Sequence, residues 1–346
     1  MKLRKIGKLA VIGDGAMGTA CAIMAHARGI QEITLWSARA ESGVELCKHR
    51  ENKVLLPGII IPDQITLTLD VENAIQDADL ILVAVPTVYL RTTISRFVQQ
   101  VSANTIPVLS VVKGLETGTL LRPSEIIETV WGKRPIAVLS GPCHAEEITR
   151  GKPTGLVVAS IDGQLAKLVQ ESFHGDSIRI YTSNDIIGVE LAAAVKNVIA
   201  IAAGISDGLN LGDNAKSALL TRALVEMMEF GMAHGADAQT FVGLAGLGDL
   251  ITTCISPHGR NRSLGERLGK GETLDHILAS TPKIAEGVTT AKSLYERCQE
   301  LSLDMPIARS VYQVLYEHLV PRLAVKELLS REPKSEMLFD FIFKRP

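Results

Sequence analysis

At 346 residues the chain exceeds what one hydrophobic core sustains, since cores stop growing at about 250–300 residues, so two domains are expected. Hydrophobic residues at 46% and charged residues at 21% exclude a disordered or fibrous protein. Thirty-six basic residues against thirty-eight acidic ones give a net charge of −2, which excludes the electrostatic footprint of a nucleic-acid binder and makes any anion site local.

In chain order, the opening MKLRKIGKLAVIGDGAMG has a basic flank, but glycine and aspartate interrupt its apolar run too soon for a signal peptide. From Lys8 to about Tyr181, short β-rich runs follow one another: LAVIG, ITLW, LILVAV, PVLSVV, IAVLS, GLVVAS and SIRIY. Most are bounded by Gly, Pro or Asp, as buried parallel strands tend to be. Helical periodicity fills the gaps at Ala16–Ala27, Val88–Val101, Ser124–Val130 and Gln164–Phe173. Strands alternating with helices predict an α/β fold, a Rossmann-type doubly wound sheet, over residues 1–184.

After Asp185 the β-runs stop. Apolar residues recur at three- and four-residue steps over Asp185–Ser206, Ala215–His234, Ala285–Glu300 and Ile307–His318, which predicts an all-helical second domain, residues 185–346. The ending REPKSEMLFDFIFKRP reads as one more short amphipathic element. The apolar stretch AAAVKNVIAIAAGI, Ala192–Ile205, falls short of the ~20 residues that span a bilayer. The five cysteines, Cys21, Cys47, Cys143, Cys254 and Cys298, are odd in number and lack a C-x-x-C pair, so they read as reduced thiols. A soluble, cytoplasmic protein with no membrane span is expected.

Gly13, Gly15 and Gly18 stand in the G-x-G-x-x-G arrangement, directly after a predicted strand and directly before a predicted helix. That context makes them a phosphate-binding turn for a dinucleotide: backbone approaches the pyrophosphate, and the helix N-terminus offers N–H groups and partial positive charge. No acidic residue follows the second strand to grip a ribose; Ser37, Ala38 and Arg39 stand there. Arg39 could meet a 2′-phosphate, so the reading is NADP or NAD with a slight lean to NADP, the alternative being a solvated surface charge.

Polar residues then collect around Lys113 in VVKGLE, around Gly141 in SGPCHAEE, at Lys196–Asn197, and from Gly246 to Ser263. Lys113 follows a strand at the sheet edge where ligands of such folds sit, although taken alone it could be a surface lysine. On a helix, Lys196 has Ala192, Ala193, Ile199 and Ala200 as neighbours, so its ammonium reaches water only through a cavity or by snorkelling to the surface. Burial lowers a lysine pKa toward that of an acid/base catalyst, while a carboxylate such as Asp249 would hold the proton on. HGRNR, His258 to Arg262, just ahead of a helix expected near Ser263, suits a phosphate monoester through Arg260 and Asn261, or is an exposed basic loop. His26, His49, His234 and His318 lack metal-ligand spacing and Met227–Met228 read as core filler, so no metal is expected.

Taken together, VIGDGAMGTA, VVKGLE, SGPCHAEE, KNVIAIAAGISDGLNLGDNAK, GLAGLGDLITTC, RNR, IAEGVTTAKS and MPIARSVYQVLY resemble the soluble, bacterial-type NAD(P)-dependent glycerol-3-phosphate dehydrogenases. The resemblance runs from about Lys8 to Glu317. It implies interconversion of dihydroxyacetone phosphate and sn-glycerol 3-phosphate, supplying glycerophospholipid synthesis, in a homodimer. By the same resemblance Lys196 is the proton-transfer lysine, Asp249 its partner, and Lys113 touches both cofactor and substrate. Gly141, Cys143, Asn197, Thr253, Gly259, Arg260 and Asn261 complete the substrate side, with the phosphate on Arg260 and Asn261. Ala16, Met17, Ala145, Ile284 and Glu286 join the glycine turn and Arg260 on the cofactor side. Met17, Cys143 and Gly259 depart from the family's usual aromatic, Ser or Thr, and serine. Tyr89 is a candidate wall for the nicotinamide. Two other readings stay open here: a 6-phosphogluconate-type or hydroxy-acid dehydrogenase, and a non-catalytic dinucleotide sensor.

Overall fold

Strands β1 (Lys8–Ile12), β2 (Glu32–Trp36), β3 (Ile65–Thr68), β4 (Leu80–Val83), β5 (Val108–Ser110), β6 (Ile136–Ser140), β7 (Thr154–Ala159) and β8 (Ile178–Ser183) form one sheet, ordered β3-β2-β1-β4-β5-β6-β7-β8. The computed structural model describes residues 5–101, 105–257, 259–281, 285–333 and 335–336. Leu80 to Val83 and Ile136 to Ser140 are buried throughout, because helices cover both faces and leave no side for water. Between β1 and β4 the connections lead to opposite sides, which opens a crevice at the carboxyl ends of these strands.

Three expectations are corrected. β3 was not among the predicted runs: ITLT is four residues long, half threonine, and lies at the sheet edge. β7 pairs antiparallel with β6, and β8 follows β7 in parallel, so the sheet is not parallel throughout. The predicted helix Val88–Val101 is two helices, Thr87–Ser95 and Val98–Val101. Most of the expected C-terminal amphipathic element lies outside the described residues.

Beyond Ser183 all regular structure among the described residues is helical. Asp185 caps the central helix, Ile186–Gly208, by accepting from Gly188 N at 2.8 Å. At 23 residues this helix is long and apolar enough to cross a membrane by length and composition, longer than its apolar core suggested, yet 89% of its most apolar window is buried inside the protein. It is the axis of the helical core, surrounded by Met227, Phe230, Phe241, Leu250, Leu264 and Leu294.

Small residues let a second helix, Arg260–Gly269, approach it closely. A Cβ on Gly204 would lie 2.0 Å from the Arg262 carbonyl oxygen, and one on Gly265 would lie 2.1 Å from that of Ile201. This contact brings Asn261 against Asn197, the residue next to Lys196. The expected helix start near Ser263 is corrected: the helix begins at Arg260, so Arg260 and Asn261 belong to its first turn.

The central helix is also tied to the sheet half. Glu190, 1% exposed, accepts from Arg122 Nη1 at 2.6 Å, Ser124 N at 2.8 Å and Ser124 Oγ at 2.6 Å, at the start of helix Pro123–Trp131. The loop entering that helix carries Lys113 at its other end. The strap therefore links the two lysine-bearing segments of the molecule.

Candidate active site at the sheet edge

The glycine turn has the shape a dinucleotide requires. A Cβ on Gly13 would lie 2.7 Å from the Ala84 carbonyl oxygen, and one on Gly18 would lie 1.8 Å from that of Gly13, so turn, strand and helix pack without room for side chains. Gly15 is the opposite case: a Cβ there would meet nothing within 4 Å, leaving open space over the helix N-terminus. Helix Ala16–Ala27 has neither a side-chain cap nor an acidic residue in its first turn, so its N–H groups and partial positive charge face an anion site. Deeper in the crevice, Thr87 Oγ1 is buried and has no hydrogen-bond partner among the described residues. These features fit the pyrophosphate at one end and a hydrogen-bonding ring substituent at the other.

Lys113, Lys196, Asp249 and Thr253, spread over 141 positions of sequence, meet in one cluster. Lys196 Nζ donates to Asp249 Oδ1 at 2.6 Å and to Thr253 Oγ1 at 2.6 Å. Lys113 Nζ donates to Asp249 Oδ2 at 2.8 Å, to the Gly141 carbonyl at 3.2 Å and to Cys143 Sγ at 3.1 Å. Lys196 is 4% exposed, which answers the question its alanine-rich setting raises: the ammonium does not snorkel outward. A π-helical turn, Leu244–Gly248, immediately precedes Asp249, as such turns frequently do at functional sites.

Burial and charge act against each other here. Burial lowers the Lys196 pKa; Asp249 pulls it back up and the Lys113 charge pushes it down, with the net direction down. For Lys113 burial also acts downward, but Asp249 and Cys143 outweigh it and the net direction is up. Burial alone would raise Asp249, yet the two ammonium groups hold it below the ordinary carboxylate range. The cluster therefore contains one fixed cation, one fixed anion and one cation able to release its proton.

Asn197 and Asn261 are both buried, and Asn261 Nδ2 donates to Asn197 Oδ1 at 3.0 Å. Asn261 Oδ1 in turn accepts from Gly287 N at 3.0 Å. Asn261 is thus part of an amide relay, with one Nδ2 hydrogen left for a ligand, rather than an open donor. Gly259 is the residue before the first turn, and Arg260 is exposed beside it. Glu286 opens the helix Glu286–Leu301; burial pushes its carboxyl up to about 7 while Arg260 draws it down. Ala145 begins a short helix, Met17 and Cys143 line one small cavity with Cys21, Tyr89 is half-exposed, and Arg39 is exposed. His258 and Ile284 lie outside the described residues.

Sequence reasoning missed three groups. His144 lies within the electrostatic reach of Lys196, and burial followed by the Lys196 charge lowers its pKa. It stood in the polar motif SGPCHAEE. Glu190 and Asp14 carried no local signal, since each acts on residues far along the chain.

Fold and site together define a class: dinucleotide-dependent dehydrogenases whose substrate side is a helical half packed on the sheet edge. Profiles described as the N-terminus and C-terminus of NAD-dependent glycerol-3-phosphate dehydrogenase match residues 8–166 and 185–326. The protein named glycerol-3-phosphate dehydrogenase (NAD(P)+) in Chlorobium phaeobacteroides (strain BS1) is 43% identical over 333 residues, covering 95% of this chain and 99% of that one. Its namesake in Salinibacter ruber (strain DSM 13855 / M31) is 39% identical, covering 96% and 97%. The crystal structure of glycerol-3-phosphate dehydrogenase from Coxiella burnetii superposes with a TM-score of 0.90 at 35% identity, covering 94% and 99%. The chain belongs to the NAD-dependent glycerol-3-phosphate dehydrogenase family.

Proposed function

We propose that the chain interconverts dihydroxyacetone phosphate and sn-glycerol 3-phosphate. The observation that carries this reading beyond family membership is the sharing of Asp249 by Lys113 and Lys196 at the sheet edge, beside the first turn of helix Arg260–Gly269. When bound, the reduced nicotinamide supplies the hydride. Gly13, Gly15, Ala16, Met17 and Gly18 hold the dinucleotide at its pyrophosphate; Ala145, Glu286 and Tyr89 flank its ring end.

Lys196, as the ammonium, gives its proton to the C2 oxygen as that oxygen gains negative charge, and in glycerol 3-phosphate oxidation the neutral amine takes it back. Its lowered pKa makes release feasible, while Asp249 and Thr253 fix the direction of its N–H bonds. Lys113 stays charged and stabilises the same developing oxyanion. Arg260, the second Asn261 Nδ2 hydrogen and the free N–H groups of the helix N-terminus hold the phosphate. Anchoring that end brings the carbonyl into reacting position. Gly141, Cys143, Asn197 and Gly259 shape the wall between the two ends.

The division into residues 1–184 and 185–346 belongs to this reading, as do a cytoplasmic location and a homodimer, which rests on family likeness. The deciding experiment follows NADH and NADPH oxidation with dihydroxyacetone phosphate and with unphosphorylated dihydroxyacetone. Activity confined to the phosphorylated substrate is expected. Equal rates with both would remove the phosphate clamp, and no oxidation with either would remove the reading.

A further inference from the structure

The tip of β2 lacks the acidic side chain that binds a ribose 2′-hydroxyl in NAD-dependent sheets of this type; Ser37 occupies that place. The structure brings a carboxylate to it from the opposite wall. Ser37 Oγ, on a residue 3% exposed, donates to Asp14 Oδ2 at 2.7 Å. Asp14 lies between the first two glycines of the phosphate-binding turn. Its backbone is held as well, since its carbonyl accepts from Asn52 Nδ2 at 2.7 Å and Thr19 Oγ1 at 3.3 Å. Asp14 Oδ1 accepts no hydrogen bond among the described residues, which leaves one carboxylate oxygen available to a ligand hydroxyl.

We propose that Asp14 determines cofactor preference: buttressed by Ser37, it replaces the missing strand-tip acid, accepts a hydrogen bond from the adenosine ribose of NAD(H), and repels the 2′-phosphate of NADP(H). The inference rests on the dinucleotide-dehydrogenase reading above. It runs against the lean toward NADP that Arg39 suggests. Two cations are close in sequence or space to this tip, and neither matches Asp14 in placement. Arg39 is exposed, so its attraction for a phosphate is screened by solvent and salt. Arg96 is already engaged: Nη1 donates to the Ala38 carbonyl at 3.2 Å, and its guanidinium lies 4.7 Å over the Trp36 ring. Asp14, by contrast, is half-buried and held at both backbone and side chain.

The test is the dissociation constant of each reduced dinucleotide without substrate, read from dihydronicotinamide fluorescence. The wild type is expected to bind NADH at least about tenfold more tightly than NADPH. Asp14→Asn, which keeps shape and hydrogen bonding but not charge, is expected to narrow that ratio at least about fivefold, chiefly by tightening NADPH. Asp14→Ser serves the same comparison if the asparagine variant folds poorly. Arg39→Ala should change the ratio by less than about threefold. A wild type that prefers NADPH, Asp14 variants within twofold of its ratio, or failure to bind either dinucleotide would overturn the proposal. Normal binding without turnover of dihydroxyacetone phosphate would instead strike the catalytic reading and leave the binding ratio as the judge of Asp14.

Discussion

Two carboxylates in the helical half are buried almost equally, Asp249 at 2% exposure and Glu226 at 4%, yet the protein treats them in opposite ways. Asp249 faces two ammonium groups, which overcome the effect of burial and hold its pKa low. Among the described residues Glu226 accepts only backbone N–H bonds, from Ile307 at 2.8 Å and Ala308 at 3.1 Å, and burial pushes it up to about 7. Hydrogen bonds to a helix N-terminus are weaker compensation than two full charges. One site gathers charge where chemistry develops it; the other stitches helix Pro306–Tyr316 to the core.

The sharpest way to break this contrast is Lys196→Ala. General acid catalysis is worth ~10²–10⁴-fold, so kcat for dihydroxyacetone phosphate reduction should fall by about that factor, with dinucleotide binding kept. Steady-state kinetics alongside fluorescence titration checks both halves of the statement. Turnover close to wild type would reduce the Lys196–Asp249 pair to a structural bridge. Asp249 keeps its bond to Lys113 at 2.8 Å in this variant, so the thermal midpoint should fall less than for a buried pair left with an unpaired charge.

Glu226→Gln tests the other side through stability. The folded pKa of about 7 lies above the ordinary 4.5. A carboxyl raised in this way adds stability that is fully present below 4.5 and is lost as pH rises through about 7. The shift corresponds to something on the order of 3 kcal/mol across that window. The variant should therefore lose less stability than the wild type between pH 5 and pH 8 in denaturant titrations. Glu286, also raised to about 7, titrates in the same sense in both proteins and leaves a residual slope. An unchanged slope would show that the helix N-terminus, not burial, governs Glu226. Asp249 should act in the opposite window, its contribution being lost as pH falls toward and below 3.8.

The contrast also marks what was legible in the residues themselves. The glycine turn and the buried Lys196 declare themselves locally, because three glycines between strand and helix, or a lysine among alanines, need no distant partner to be odd. Asp249 could be named only as a carboxylate near enough to help, and its link to Lys113 spans 136 positions. The Asp14–Ser37 bond, 23 positions apart, and the Glu190–Arg122 strap, 68 apart, left no periodic trace. The reversed direction of β7 was equally hidden, since a short apolar run reads the same in either direction. The start of the helix at Arg260 was missed because Gly259 is its N-cap, where serine, threonine, aspartate or asparagine gives a clearer signal.

The finest division lies within the site, between its two lysines. In the proposed mechanism dihydroxyacetone phosphate reduction uses protonated Lys196, so its rate should fall on the alkaline side as that group loses its proton; glycerol 3-phosphate oxidation should rise over the same range. Lys113→Met removes the cation that lowers the Lys196 pKa and leaves Asp249 to Lys196 alone. Both changes favour the ammonium, so the alkaline limb of kcat for reduction should move to higher pH. Overall turnover also falls, since Lys113 no longer stabilises the oxyanion, but the position of a limb does not depend on its height. A limb that stays put or moves down would mean that another group controls it, His144, which feels the charges of both lysines, being one alternative. Combining Lys113→Met with His144→Ala separates the two: the raised limb should persist without the imidazole if Lys196 is the group that titrates.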